Sequence, residues 1–173
     1  PSGFQANIAA VQYLANRNSI VIADKFIHNS LLVGVKASGS KLVRFEHNDL
    51  KDLENKILKF NSTQNSILII VESLYSMEGS IAPLKEITEI CKQYNAELLV
   101  DEAHSLGILG PEGKGLSFDL SSGIKMITGT FGKAFGSGGA FISCNSKVGE
   151  NLIQTSGAFR YTTALSPALA AGA

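Results

Sequence analysis

Neither sign of charge is in surplus in this 173-residue chain: 15 Lys and Arg stand against 15 Asp and Glu, and no block of like charge runs along it. A broad basic face for nucleic acid or for an anionic membrane surface is therefore not expected. Long apolar runs are missing too. The longest, Ile67 to Val71, has five residues, far short of the roughly 20 that span a bilayer. Cysteine is scarce, and Cys91 and Cys144 stand far apart with no CxxC partner. That spacing indicates neither a disulfide framework nor a Cys-rich zinc site, and it reads both as reduced thiols packed as small apolar groups. No charged stretch followed by an apolar one marks a targeting segment, so a cytoplasmic location is expected.

Several motifs also fail. The phosphate loop of nucleotide triphosphatases needs a glycine five positions before Gly-Lys and a hydroxyl residue after it. Gly132-Lys133 has Ile127 and Ala134 at those places, and Gly113-Lys114 fares no better. Gly115-Leu116-Ser117-Phe118 approaches a nucleophile elbow, but Asp119 replaces its last glycine, which speaks against a serine hydrolase. Gly136-Ser137-Gly138 lacks the third glycine of a dinucleotide fingerprint, and His28, His47 and His104 have no metal-ligand spacing.

What is present is an alternation. Phe4, Ile8, Val11 and Leu14 recur at helical spacing behind Ser2 or Gly3 as cap. Strand-like runs over 20–23, 41–45, 67–71 and 97–101 then alternate with helical patterns over 28–37, 50–60 and 84–94. This predicts an α/β fold, a mostly parallel sheet between helices in three α/β/α layers. A glycine-rich passage with Gly107, Gly110, Gly113 and Gly115 follows, and then strands over 124–129 and 139–144. The Ala-rich end, Ala168 to Ala173, reads as a helix cut before its stop, so the chain is expected to be a piece of something longer. Its length suits one structural unit. Glu72 and Asp101 stand just beyond two apolar strand bodies, at the carboxyl edge where such sheets bind ligands.

That edge collects what a pyridoxal phosphate site demands: an imine-forming lysine, a carboxylate for the ring nitrogen, a flat group over the ring and donors for a phosphate. Lys133 lies among Gly129, Gly132 and Gly136 in a loop that follows a strand; the alternative is a solvated loop charge. Asp101 adjoins the buried run Leu98-Leu99-Val100, where a carboxylate needs a cation; an internal Lys or Arg, or a role in capping the next turn, would also satisfy it. His104 could reach a ring hydroxyl and His28, at a helix start, could stack on the ring, although either could be an ordinary histidine. The helix start at Ser2, Gly3 and Phe4 suits a phosphate or is a plain cap, while Thr130 and Ser76 supply hydroxyls at two more strand ends.

Three stretches, Val100-Asp101-Glu102-Ala103-His104-Ser105-Leu106-Gly107, Gly110-Pro111-Glu112-Gly113-Lys114-Gly115 and Gly129-Thr130-Phe131-Gly132-Lys133-Ala134-Phe135-Gly136, together resemble the α-oxoamine synthases. Ser2-Gly3-Phe4-Gln5-Ala6-Asn7, His28-Asn29-Ser30-Leu31-Leu32, Tyr75-Ser76-Met77-Glu78-Gly79 and Tyr161-Thr162-Thr163-Ala164-Leu165-Ser166-Pro167 extend the likeness along the whole chain. The resemblance implies the large domain of the aspartate aminotransferase fold type I, spanning 1–173, with an amino-terminal segment and a small carboxyl-terminal domain lying outside it. It implies pyridoxal 5'-phosphate as cofactor, bound as a covalent imine on Lys133, with Asp101 on the ring nitrogen, His104 on the ring oxygen and His28 stacked on the ring. Ser76 and Thr130 would contact cofactor oxygens, and Gly3 and Phe4 the phosphate. Thr162 and Thr163 would reach the phosphate of a second subunit, so a homodimer is implied. Asn29 stands where many members have alanine.

The implied reaction is the condensation of an amino acid with an acyl thioester, of coenzyme A or an acyl carrier protein, with loss of carbon dioxide to give an α-amino ketone. An aminotransferase or a decarboxylase of the same fold remains open, as does a non-catalytic partner subunit. His104 and the loop at 110–115 favour the synthases over the former, and the presence of Lys133 speaks against the latter.

Overall fold

A computed structural model describes residues 1–60 and 65–173, together with the backbone but not the side chains of Ser121 and Ser122. The expected alternation is present: α1 (Gly3–Leu14), β1 (Ser19–Asp24), α2 (Asn29–Ser38), β2 (Lys41–Phe45), α3 (Leu50–Phe60), β3 (Ser66–Glu72), α4 (Leu84–Gln93), β4 (Glu97–Asp101), β5 (Met126–Thr130) and β6 (Ala140–Ser143). They are followed by α5 (Ser146–Thr155), α6 (Gly157–Arg160) and α7 (Pro167–Ala171). The six strands lie in the order β2-β1-β3-β4-β5-β6, with every pair parallel except β5 and β6.

Strand alternation sorts the core into two faces. Ile20, Ile22, Ile67, Ile69, Val71, Leu98 and Val100 pack with Leu53 and Ile57 of α3 and Leu84, Ile87 and Cys91 of α4. Val21, Ala23, Leu68, Ile70, Leu99 and Met126 pack on the other side with Val11 of α1, Leu31 and Val35 of α2 and Leu152 of α5. The run Ile67 to Val71 is apolar at every position because it is covered on both sides, as central parallel strands are. Each fully buried Ile, Leu or Val contributes on the order of 1.5–3 kcal/mol. Cys91 is buried in the first cluster, and burial pushes its thiol up to about 12. No helix among the described residues is long and apolar enough to cross a membrane.

The same alternation decides where the strand ends point. Glu72, Asp101, Thr128 and Thr130 share the parity of Leu68, Leu99 and Met126, so they face the layer of α1 and α2. Asp24 has the other parity and faces away. Both helices begin at the carboxyl edge of the sheet, Ser2 capping α1 by accepting from Gln5 N and His28 capping α2 by accepting from Ser30 N. Gly34 lets the two helices approach, since a Cβ there would lie 2.9 Å from Val11 Cβ.

The expected boundaries hold to within one residue except at two places. β5 begins at Met126, not at 124, because its ladder with β4 opens at Leu99 opposite Met126. The alanine-rich end is helical only through Ala171.

Candidate active site

Asp101 is 4% exposed at the end of β4. Its Oδ2 accepts from Asn7 Nδ2 at 2.7 Å and its Oδ1 from the backbone N–H of Ala103 at 2.9 Å. Asp101 thus caps the turn that follows its strand, as one of the two plain readings expected. It has no ion pair among the described residues, so the internal Lys or Arg of the other plain reading is not there. A buried carboxylate held only by neutral donors is poised for a cation from outside the chain.

Lys133 and His104 meet. Lys133 Nζ is hydrogen-bonded to His104 Nε2, which joins the turn after β4 to the loop after β5. Burial lowers both groups; the charge of Lys133 lowers His104 further, while Asp101 and then Glu72 pull Lys133 partly back. A lysine held below its ordinary value offers an unprotonated amine more readily, which is what imine formation requires.

The start of α1 lies alongside. A Cβ on Gly3 would sit 3.4 Å from Thr130 Cβ, and Thr130 Oγ1 accepts from Gly132 N while donating to the Gly139 carbonyl. Ser2 takes up the N–H groups of Gln5 and Ala6, leaving those of Gly3 and Phe4 directed outward at the positive end of the helix. Phe4 stands edge-on to His28, with centroids 6.3 Å apart. His28 Nδ1 is held by Ser30, at 2.7 Å from the hydroxyl and 3.2 Å from the backbone N–H.

Glu72 is also part of this edge. It lies opposite Asp101 in the β3–β4 register, is 1% exposed, and its Oε1 has no hydrogen-bond partner among the described residues. Burial first and Asp101 second raise it from 4.5 to about 7, against the backbone N–H groups of His28 and Ser76. Ser76 thus acts on Glu72 through its backbone N–H. Because the folded chain binds the Glu72 proton more tightly than the unfolded chain, the associated stability is fully present below pH 4.5 and is lost as pH rises through about 7. The loss amounts to about 3 kcal/mol. Glu72→Gln, neutral at every pH, is expected to flatten that slope; urea unfolding of the cofactor-free protein from about pH 4 to pH 8 measures it.

Two features stand apart from this group. Thr162 and Thr163 line a cavity of ≈ 590 Å³ beside the start of α1, whose walls include Ser2, Phe141, Leu152 and Leu165. Thr162 accepts from Gln5 Nε2 at 2.9 Å, and neither threonine has a hydrogen bond to Lys133, Asp101 or His104. On the opposite face of the sheet, buried Asp24 accepts from His47 Nδ1, Phe26 N and Asn48 N, while His47 Nε2 meets Ser80. That cluster ties the end of β1 to two loops.

The glycine-rich passage has a use of its own. Buried Glu102 accepts from Ser73, Ser105, Leu116 N and Ser117 N, and the loop wraps around it. A Cβ on Gly110, at φ 78°, would lie 2.0 Å from the Gly115 carbonyl oxygen, so only glycine fits there.

The family model for aminotransferase class I and II matches residues 1–173. The chain belongs to that family. Its relatives within the family are α-oxoamine synthases, as the motifs implied. An 8-amino-7-oxononanoate synthase of Trichlorobacter lovleyi is 38% identical over 172 residues, covering 98% of this chain and 44% of the relative. A serine palmitoyltransferase of Sphingomonas wittichii superposes with a TM-score of 0.93 at 32% identity, over 99% of this chain and 43% of that one. A high-resolution structure of SPT with its PLP internal aldimine gives 0.92 at 34% identity, with the same coverage. The chain thus spans less than half the length of the relatives it matches.

Sequence reasoning missed Asn7, Ser30 and Thr128 as members of this aminotransferase-family site. Their polarity within apolar patterns was the available signal: each is a buried hydrogen-bonding residue on the face that carries Asp101.

Proposed function

We propose that this chain is the cofactor-binding part of an α-oxoamine synthase, a pyridoxal phosphate enzyme that condenses an amino acid with an acyl thioester and releases carbon dioxide. The observation that carries this reading is Asp101: buried, held by neutral donors alone, and on the same sheet edge as the Lys133–His104 pair. The residues fit the cofactor. Asp101 would hold the ring nitrogen, Lys133 the aldehyde carbon, His104 the ring oxygen, and the N–H groups of Gly3 and Phe4 with Thr130 the phosphate. His28 would cover the ring and Ser76 would contact a cofactor oxygen. When bound, the cofactor supplies an electron sink for charge left at the amino acid Cα.

The chain's own groups supply the proton handling and the positioning. Lys133, lowered by burial, can take up at Nζ the proton that leaves the Cα. His104 is held below 6.5 by burial and by Lys133, and stays neutral near pH 7. Asp101 keeps one oxygen on Asn7 and the other on Ala103, so its direction is fixed before any ligand arrives. Thr162 and Thr163, away from this group and beside the cavity, would serve a second copy of the chain in a cytoplasmic homodimer.

The complete protein, supplied with pyridoxal phosphate, amino acids and acyl-coenzyme A, is expected to release free thiol and carbon dioxide in equal amounts. Conversion of the amino acid to a keto acid without thiol release would place it among the aminotransferases instead.

A further inference from the structure

Asn7 sits where two site residues would otherwise be independent. It is 3% exposed on α1, and its side-chain amide uses three of its four hydrogen-bonding positions on side chains of three other elements. Nδ2 donates to Asp101 Oδ2 at 2.7 Å and to Ser30 Oγ at 2.9 Å, while Oδ1 accepts from Thr128 Oγ1 at 2.6 Å. Ser30 is fully buried, and Thr128 and Asp101 nearly so.

The direction of each bond follows from one fact. A carboxylate only accepts, so the NH₂ end of Asn7 must face Asp101, and its oxygen must face Thr128. The second N–H of that NH₂ then goes to Ser30 Oγ, which donates its own proton onward to His28 Nδ1 at 2.7 Å. The backbone N–H of Ser30 points at the same nitrogen. His28 Nδ1 is therefore an acceptor, and the neutral ring carries its proton on Nε2, which has no hydrogen bond among the described residues.

We propose that Asn7 is a positioning residue that joins Asp101 and His28 into one hydrogen-bonded unit, aiming the carboxylate and fixing the His28 tautomer together, with Nε2–H presented outward. The proposal rests on the functional reading above in one respect: the unit would hold a bound ring at its nitrogen through Asp101 and over its face through His28. A change at Asn7 would thus be felt at both, although it touches neither the ring nor a substrate.

The test uses the complete protein with pyridoxal phosphate. Asn7→Ala is expected to weaken cofactor binding about 10- to 100-fold, the loss of a hydrogen bond to a buried charge, and to shift the pH midpoint of the bound cofactor's visible absorbance. Thr128→Val, nearly isosteric, frees the amide oxygen while leaving Asn7 and Asp101 in place. It is expected to act in the same direction with a smaller effect, and it decides alone if Asn7→Ala does not fold. A folded variant with wild-type affinity and midpoint would overturn the proposal. In the cofactor-free protein, nitrogen-15 NMR should find His28 Nδ1 pyridine-like and Nε2 pyrrole-like, with Ser30→Ala moving Nδ1 toward the averaged value; the reverse tautomer would also overturn it. A wild type that takes up no cofactor would instead sink the functional reading, and the His28 spectrum would still judge the unit by itself.

Discussion

Lys133→Ala is expected to reduce turnover by on the order of 10⁴-fold or more, the scale of losing the group that forms a covalent bond with the reacting partner. Lys25, Lys56, Lys114 and Lys125 are held in ion pairs with Glu46, Asp52, Glu112 and Glu97, whereas Lys133 rests against His104. The same substitution has a consequence that requires no activity. The charge of Lys133 is, after burial, the second cause that holds His104 below 6.5. Without it, His104 should titrate closer to its ordinary value, moving upward in an NMR titration of the cofactor-free protein. Lost turnover with an unmoved His104 would mean that the two side chains do not meet in solution.

The parts of this site that could be read from the amino-acid order are those in which a local pattern carries the information. Ile67 to Val71 is apolar throughout because it is covered on both faces, and the acidic residues just after it and after Leu98-Leu99-Val100 mark the edge of the sheet. Lys133 is legible because glycines bracket it. Asn7 was not, because its partners Asp101 and Thr128 are 94 and 121 residues away and come together only through the strand register. The geometry of the glycine-rich passage is likewise dictated by a partner that no local pattern shows, the buried carboxylate of Glu102. Helix α5 was passed over although Asn145 caps it and Val148 and Leu152 recur at helical spacing; both signals were in the sequence. The relation of Thr162 to α1 depends on one hydrogen bond from Gln5 across the fold, which no local pattern encodes.

Asp101→Asn should separate the two duties of that carboxylate. The substitution keeps size and shape, so the packing of β4 should survive, with a stability loss limited to about 1–3 kcal/mol for the one buried donor left unpaired. Turnover, in contrast, is expected to fall about 10²- to 10³-fold, the range for removing one preorganised electrostatic partner from a buried site. The cost is concentrated there because Asn7 and Ala103 supply only neutral hydrogen bonds. Both are donors, so an amide can accept from only one of them while its NH₂ end faces the other, and it cannot balance a positive ring. Glu72 provides an internal check. Asp101 is, after burial, the second cause that raises Glu72 to about 7, so neutralising it should let Glu72 drop back toward 4.5. The pH window over which the cofactor-free protein loses stability should narrow accordingly, with its upper limit moving down. A turnover loss without that narrowing would assign Asp101 to the cofactor but not to a shared field with Glu72, whereas narrowing without a turnover loss would remove Asp101 from the chemistry altogether.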